Sequence, residues 1–143
     1  MKQVHKSVLV GHSPERMYTL VDAVERYPEF LPWCGGARVL ARDAAVVEAE
    51  IRIDYRGIRQ SFVTRNVNTP FERIDLNFVR GPFRSLAGKW LFTKVGDLGS
   101  RIDFQLDWEF AGGVLGALIA PVFDSIADTM VDAFVRRADQ VHP

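Results

Sequence analysis
Hydrophobic spacing divides the chain into a sheet-forming middle and two helical stretches. Val47, Ala49, Ile51, Ile53 and Tyr55 alternate with Glu48, Glu50, Arg52 and Asp54. Successive strand side chains point to opposite faces, so this is a strand buried on one side. Ile102, Phe104, Leu106, Trp108 and Phe110 alternate more cleanly still with Arg101, Asp103, Gln105, Asp107 and Glu109. The period of two sets in from Ala37, and β-rich runs over residues 2–10, 58–68, 73–80 and 87–95 predict further strands. Arg56-Gly57, Thr69-Pro70, Gly81-Pro82-Phe83-Arg84 and Gly96-Asp97-Leu98-Gly99 supply the breaks between them.

The helical stretches flank this sheet. In His12-Ser13-Pro14-Glu15, Ser13 suits the cap, Pro14 the first helical position and Glu15 the helix dipole. Met17, Tyr18, Leu20, Val21 and Val24 then form an apolar stripe. The segment from Tyr27 to Gly36 holds Pro28, Pro32, Gly35 and Gly36, which limits it to a short helix and a loop. After Gly112-Gly113, the residues Leu115, Ile119, Val122, Ile126, Met130, Ala133 and Phe134 recur at steps of three and four. Asp124, Asp128 and Asp132 lie opposite and read as a solvated helix face, while Pro121 predicts a kink or a restart. The order is strand, helical hairpin, about six antiparallel strands and a long last helix. That is an α+β fold in which a curved sheet wraps the helix.

No repeat, linker or charge run divides the 143 residues, so residues 1–143 are expected to form a single domain. Lys and Arg together number 18, as do Asp and Glu, and this neutrality argues against bulk nucleic-acid binding. The charge is nevertheless polarised. Residues 51–90 carry eight basic and three acidic side chains, and residues 97–143 carry three basic and eight acidic ones. Arginine dominates the basic part, which suits phosphate or carboxylate contacts. The alternative is a solvated face whose arginines pair with neighbouring acids. The single cysteine, Cys34, excludes an internal disulfide and reads as a small buried hydrophobe. The first residues lack the apolar core of a signal peptide, so a soluble, cytoplasmic protein is expected.

The inward strand positions hold large rings: Trp90 and Phe92 on one strand, Phe104, Trp108 and Phe110 on another. Phe78, Phe123, Met130 and Phe134 are expected beside them. Two arrangements fit these residues, a solid core or the lining of an apolar pocket. Catalytic and metal-binding patterns are missing. His5, His12 and His142 lie near the ends or in a turn, and no cluster has metal-ligand spacing. Tyr18, Tyr55 and Asn77 are the remaining polar candidates near the interior, and all three read as hydrogen-bonded structural residues rather than acids or bases. The glycines at 112, 113 and 116 precede a terminal helix with no parallel strand beyond it, so they mark a chain reversal rather than a dinucleotide loop.

Three segments together carry a resemblance: Tyr27-Pro28-x-Phe30-Leu31-Pro32-x-Cys34-x-Gly36, then Gly81-Pro82-Phe83-Arg84-x-Leu86-x-Gly88-x-Trp90-x-Phe92, then Asp107-x-Glu109-Phe110. Over nearly its whole length the chain resembles the coenzyme Q-binding START-like family. That family includes bacterial ribosome association toxin A proteins and mitochondrial coenzyme Q-binding proteins, and the chain sits nearest the bacterial branch. The resemblance implies a helix-grip fold, a seven-stranded antiparallel sheet around a long C-terminal helix with a hydrophobic cavity between. It also implies non-enzymatic binding of ubiquinone or a similar isoprenoid lipid in support of respiration, the quinone being a ligand and not a catalytic cofactor. Trp90, Phe92, Phe104, Trp108, Leu115, Ile119, Phe123 and Met130 are then the expected cavity lining. Phe30, Leu31, Trp33 and Phe83 are the expected rim.

For some bacterial members the resemblance implies binding of the large ribosomal subunit and a block of subunit joining. Arg56, Arg59, Arg65, Arg80 and Arg84 are the residues expected to meet RNA or a lipid headgroup. A peripheral contact with the inner membrane belongs to the same expectation, and DNA does not. Related families include polyketide cyclases. A cyclase-like enzyme is the weakest of the three readings, because the inward register supplies no clear acid or base.

Overall fold
The computed structural model describes residues 2–143. The first strand, β1 (Lys2–Val10), leads into α1 (Pro14–Asp22) and a 3₁₀ turn (Val24–Glu29). Six strands follow: β2 (Cys34–Arg42), β3 (Val46–Tyr55), β4 (Ile58–Thr69), β5 (Arg73–Arg80), β6 (Phe83–Val95) and β7 (Gly99–Phe110). The chain ends in α2 (Val114–Val141). The strands form one antiparallel sheet in the order β1-β7-β6-β5-β4-β3-β2. This is the seven-stranded helix grip that the sequence led us to expect.

The sheet is a meander except at β1, which pairs with the last strand, Val4 opposite Leu106. Its curvature has a local origin. Register shifts interrupt β2 at Cys34/Gly36 and Val39/Ala41, β5 at Val79 opposite Val63/Thr64, and β6 at Phe83/Ser85. Each irregularity bends its strand and increases the twist, and together they wrap the sheet. The β3–β4 hairpin closes on Arg56 (φ 53°) and Gly57 (φ 80°), the two left-handed positions that a tight two-residue turn requires.

The α1 start is as expected: the Ser13 hydroxyl accepts from the Arg16 backbone N–H at 3.2 Å. The chain ends are tied together at His12, whose Nε2 lies 2.7 Å from Asp139 Oδ1 on α2. Ser100 on β7 donates to the His12 carbonyl at 2.8 Å.

Some boundaries and positions differ from expectation. The strand β2 begins at Cys34, because the Asp54 N–H donates to the Trp33 carbonyl at 2.9 Å and holds the Gly35-Gly36 pair extended. Gly36 also leaves room for the Arg52 guanidinium, which a Cβ there would meet at 3.3 Å. The strand β6 begins at Phe83 instead of Ala87, because Phe83 stacks on Phe110 across β7 at 5.2 Å. The helix α2 runs through Pro121 without a restart. Pro121 and Ala117, whose carbonyl loses its helical partner there, both lie on the exposed side, where the lost bond costs least.

Leu115 was expected on the buried stripe but is 45% exposed. Gly116 takes the inner position instead, since a Cβ there would lie 2.6 Å from the Ala111 carbonyl oxygen. Length and composition would let α2 cross a membrane. Here Ile119, Phe123, Ile126 and Phe134 pack on the sheet, while Asp124 and Asp128 reach Lys2 and Lys6 of β1 at 3.4 and 3.3 Å.

Candidate ligand cavity
Between the concave face of the sheet and α2 lies a cavity of about 70 Å³. From β6 and β7 it is lined by Leu86, Trp90, Phe104 and Leu106, and from α2 by Phe123, Ile126, Met130 and Phe134. The segment after α1 contributes Val24, Tyr27 and Trp33. Ring contacts pack this wall: Phe134 meets Trp90 and Tyr27 edge-on, each at 5.3 Å, and Trp90 lies tilted 4.4 Å from Phe104.

The fourth wall, β4, is different. Thr64 and Asn66 face the same cavity, 5% and 7% exposed. Thr64 Oγ1 donates to Asn66 Oδ1 at 2.9 Å. Two residues further, buried Asn68 donates to Asp22 Oδ1 at 2.9 Å. Sequence reasoning missed these three residues and pointed to Asn77. Asn77 is exposed and donates weakly to the Arg65 carbonyl at 3.4 Å. The usable signal was the i, i+2, i+4 spacing of Thr64, Asn66 and Asn68 in register with Phe62. Outward Val63 and Val67 masked it by blurring the polar/apolar alternation.

Of the residues expected to line a cavity, Trp90, Phe104, Phe123 and Met130 border this one. Phe92 lies elsewhere in the core, 5.7 Å from Tyr18 under α1. Trp108 and Ile119 are buried away from the void, and Leu115 is on the surface. Of the expected rim, Trp33 borders the cavity and Phe30 an adjoining groove. Leu31 is 1% exposed, and Phe83 is buried among Phe62, Phe78, Phe110 and Phe123.

The groove, about 300 Å³, runs between α2 and the segment holding Phe30 and Pro32, with Tyr55 at one side and Asp132 and Arg136 at its charged margin. Trp33 and Ile126 border both spaces, so these two side chains stand between cavity and groove.

Among the described residues the cavity's titratable lining is a single group, Tyr27. Its hydroxyl donates to the Val21 carbonyl, and burial raises its pKa far above the ordinary phenol value, so it stays neutral. Tyr18, outside the cavity, is also pushed up by burial, with Asp22 adding to the shift and a hydrogen bond to Asn68 opposing it. Burial raises the Cys34 thiol too, and the thiol donates to the Gly36 carbonyl at 3.3 Å. Among the described residues no three His, Cys, Asp or Glu side chains group as metal ligands.

The arginines do not converge on the cavity. Arg59 lies 3.6 Å from Asp54 and Arg84 3.6 Å from Glu109. Arg56 rests over the Tyr55 ring at 5.1 Å. Among the described residues, Arg56, Arg65 and Arg80 form no ion pair. Arg56 and Arg59 mark the β3–β4 hairpin tip and Arg80 and Arg84 the β5–β6 tip, and the antiparallel order puts both tips at the same end of the sheet.

Comparison with known proteins agrees with this architecture. Ribosome association toxin RatA of Vibrio cholerae is 39% identical over 142 residues, 99% of either chain. Coenzyme Q-binding protein COQ10 homolog B, mitochondrial, of Xenopus laevis is 27% identical over 96% of this chain and 58% of its own. A START superfamily protein from Mycobacterium smegmatis superimposes with a TM-score of 0.80 over 97% of this chain and 98% of its own, at 22% identity. Residues 10–135 match the family described as polyketide cyclase / dehydrase and lipid transport, and the chain belongs to that family.

Proposed function
We propose that this chain is a non-catalytic binding protein that holds an isoprenoid quinone, or a molecule of like shape and polarity, between its sheet and α2. The observation that carries this reading is the lining of the cavity: aromatic and aliphatic on three walls, with Thr64 and Asn66 on the fourth and no carboxylate, histidine or lysine among its residues. Small-molecule sites have this composition, whereas acid–base catalysis needs a group that can gain or lose a proton near neutral pH. The COQ10 homolog's name, coenzyme Q-binding protein, points the same way.

Size sets the mechanism of entry. At about 70 Å³ the cavity is smaller than the roughly 150 Å³ void that admits a benzene ring. A ligand therefore enters by displacing the Trp33–Ile126 pair, which stands between the cavity and the outer groove. Each buried CH₂ of an isoprenoid chain contributes about 0.8 kcal/mol toward that opening. The test is to purify the chain from quinone-producing cells, extract it and identify lipids by mass spectrometry. A co-purifying quinone is expected. Neither co-purifying lipid nor binding of added quinone would overturn the reading.

A second reading, association with the large ribosomal subunit, is favoured by the relative named ribosome association toxin over essentially the full chain and by the arginines free of ion pairs. Such a surface would meet RNA phosphates with steep salt dependence. Co-sedimentation with the large subunit at low salt, lost at high salt, is the expected result, and no co-sedimentation at low salt removes the idea. The two readings use different surfaces and do not compete.

A further inference from the structure
Asn66 is the feature of the cavity that folding alone does not explain. It is 93% buried beside aromatic rings, and its carbonyl oxygen is engaged by the Thr64 hydroxyl at 2.9 Å. With the carbonyl so held, the amide nitrogen makes no hydrogen bond among the described residues. A primary amide carries two donors on that nitrogen, which keeps accessible surface rather than being sealed in the core, so both are open to a molecule in the void. The hydroxyl of Thr64 is spent on the amide, so the pair presents donors and no free carboxylate or cation to the void.

We propose that the Asn66 amide, oriented by Thr64, donates to a carbonyl or ether oxygen on the ligand's ring. The ligand then sits head inward, with its apolar chain running toward the Trp33–Ile126 pair and the groove beyond. This assignment rests on the hydrophobic-ligand reading above and adds to it a recognition residue, an orientation and a selectivity. Trp90, Phe104 and Phe134 offer faces and edges for a planar ring, and the donor selects rings that bear acceptor oxygens. Anionic heads are disfavoured, because no cation among the lining residues offsets the cost of burying a carboxylate. The chemical class is therefore a neutral, planar, oxygen-bearing ring with a long hydrocarbon tail, not a free fatty acid.

The experiment compares two ligands of equal chain, a decyl-substituted benzoquinone and decylbenzene, by isothermal titration with the wild type, Asn66→Leu and Asn66→Ala. The readout is the ratio of the two affinities, which cancels any general change in the cavity's shape or in the stability of the fold. In the wild type the quinone is expected to bind more tightly. In both variants its advantage is expected to fall roughly tenfold, the factor of about one hydrogen bond, while decylbenzene keeps its affinity or gains. An unchanged ratio in both variants overturns the assignment of Asn66 and leaves hydrophobic-ligand binding standing. Failure of the wild type to bind either ligand overturns both.

Discussion

Phe134 offers a quantitative test of the packing between sheet and helix. It is 1% exposed at the point where α2 crosses the sheet, and its ring meets Tyr27, Phe30 and Trp90 edge-on at 5.2–5.3 Å. Truncating a buried phenylalanine to alanine costs about 3–5 kcal/mol. Each edge-on pair contributes about 0.5–1.5 kcal/mol beyond area burial, and three are lost, which moves Phe134→Ala toward the upper end. The ring already borders the 70 Å³ void, so neighbours have little to collapse onto and the cavity term is retained. A loss of about 4 kcal/mol is expected, a large share of the ~5–15 kcal/mol typical of a domain. Urea unfolding followed by tryptophan fluorescence should show a lower midpoint at unchanged slope. The enlarged void should also approach the size that accepts benzene, so benzene should raise the midpoint of the variant and not of the wild type. A loss below about 1 kcal/mol, or equal stabilisation of both proteins by benzene, would refute the placement of Phe134 against the cavity.

Three further outcomes follow from single contacts. A Cβ at Gly88 would stand 2.7 Å from the Gln105 carbonyl oxygen and 2.8 Å from Leu106 Cδ1, so Gly88→Ala should cost about 1–3 kcal/mol; an unchanged urea midpoint would contradict the close β6–β7 approach. Asp43 Oδ1 accepts the Ala45 and Val46 N–H groups, both at 2.9 Å, and these bonds hold its carboxyl below the usual carboxylate range. A depressed folded pKa stabilises above the unfolded value, about 3.9, and that stabilisation is lost as pH falls through the folded pKa. The stability difference between wild type and Asp43→Asn should therefore be flat from pH 6 to 8 and change only below about pH 4; a change centred near neutrality would contradict this. Cys34 is buried with a raised thiol pKa, so a thiol reagent should label the native protein at least roughly tenfold more slowly than the urea-unfolded chain, and equal rates would contradict its burial.

The contrast between β7 and β4 explains how much of the molecule was legible beforehand. In β7 every second residue from Ser100 to Trp108 is buried and those between them are not, so pattern and burial coincide. In β4 the inward side carries Phe62, Thr64, Asn66 and Asn68, and outward Val63 is buried as well, so the rule that apolar means inside fails there. It fails at the polar wall of the cavity, where a ligand site departs from core-forming pattern. Leu115 was misplaced for a different reason. Helical spacing fixes which residues share a face but not which first-turn residue meets the sheet, and the close approach to Ala111 reserves that place for Gly116. The β6 start was hidden by Gly81-Pro82, whose turn is only two residues long because the Phe83–Phe110 stack draws the strand back. Charge polarity was readable from counts, but the two hairpin tips that gather four of its arginines became visible only with strand order.

Nuclear magnetic resonance titration of the full chain with a short-chain benzoquinone tests the central claim most directly. Binding between sheet and helix should give saturable shifts of the Ile126 and Met130 methyl groups and of the Trp33 and Trp90 indoles, all of which border the cavity. Val8 on β1 should stay unmoved. Absence of saturable shifts, or shifts confined to the arginine-bearing hairpins at Arg56 and Arg80, would contradict the account.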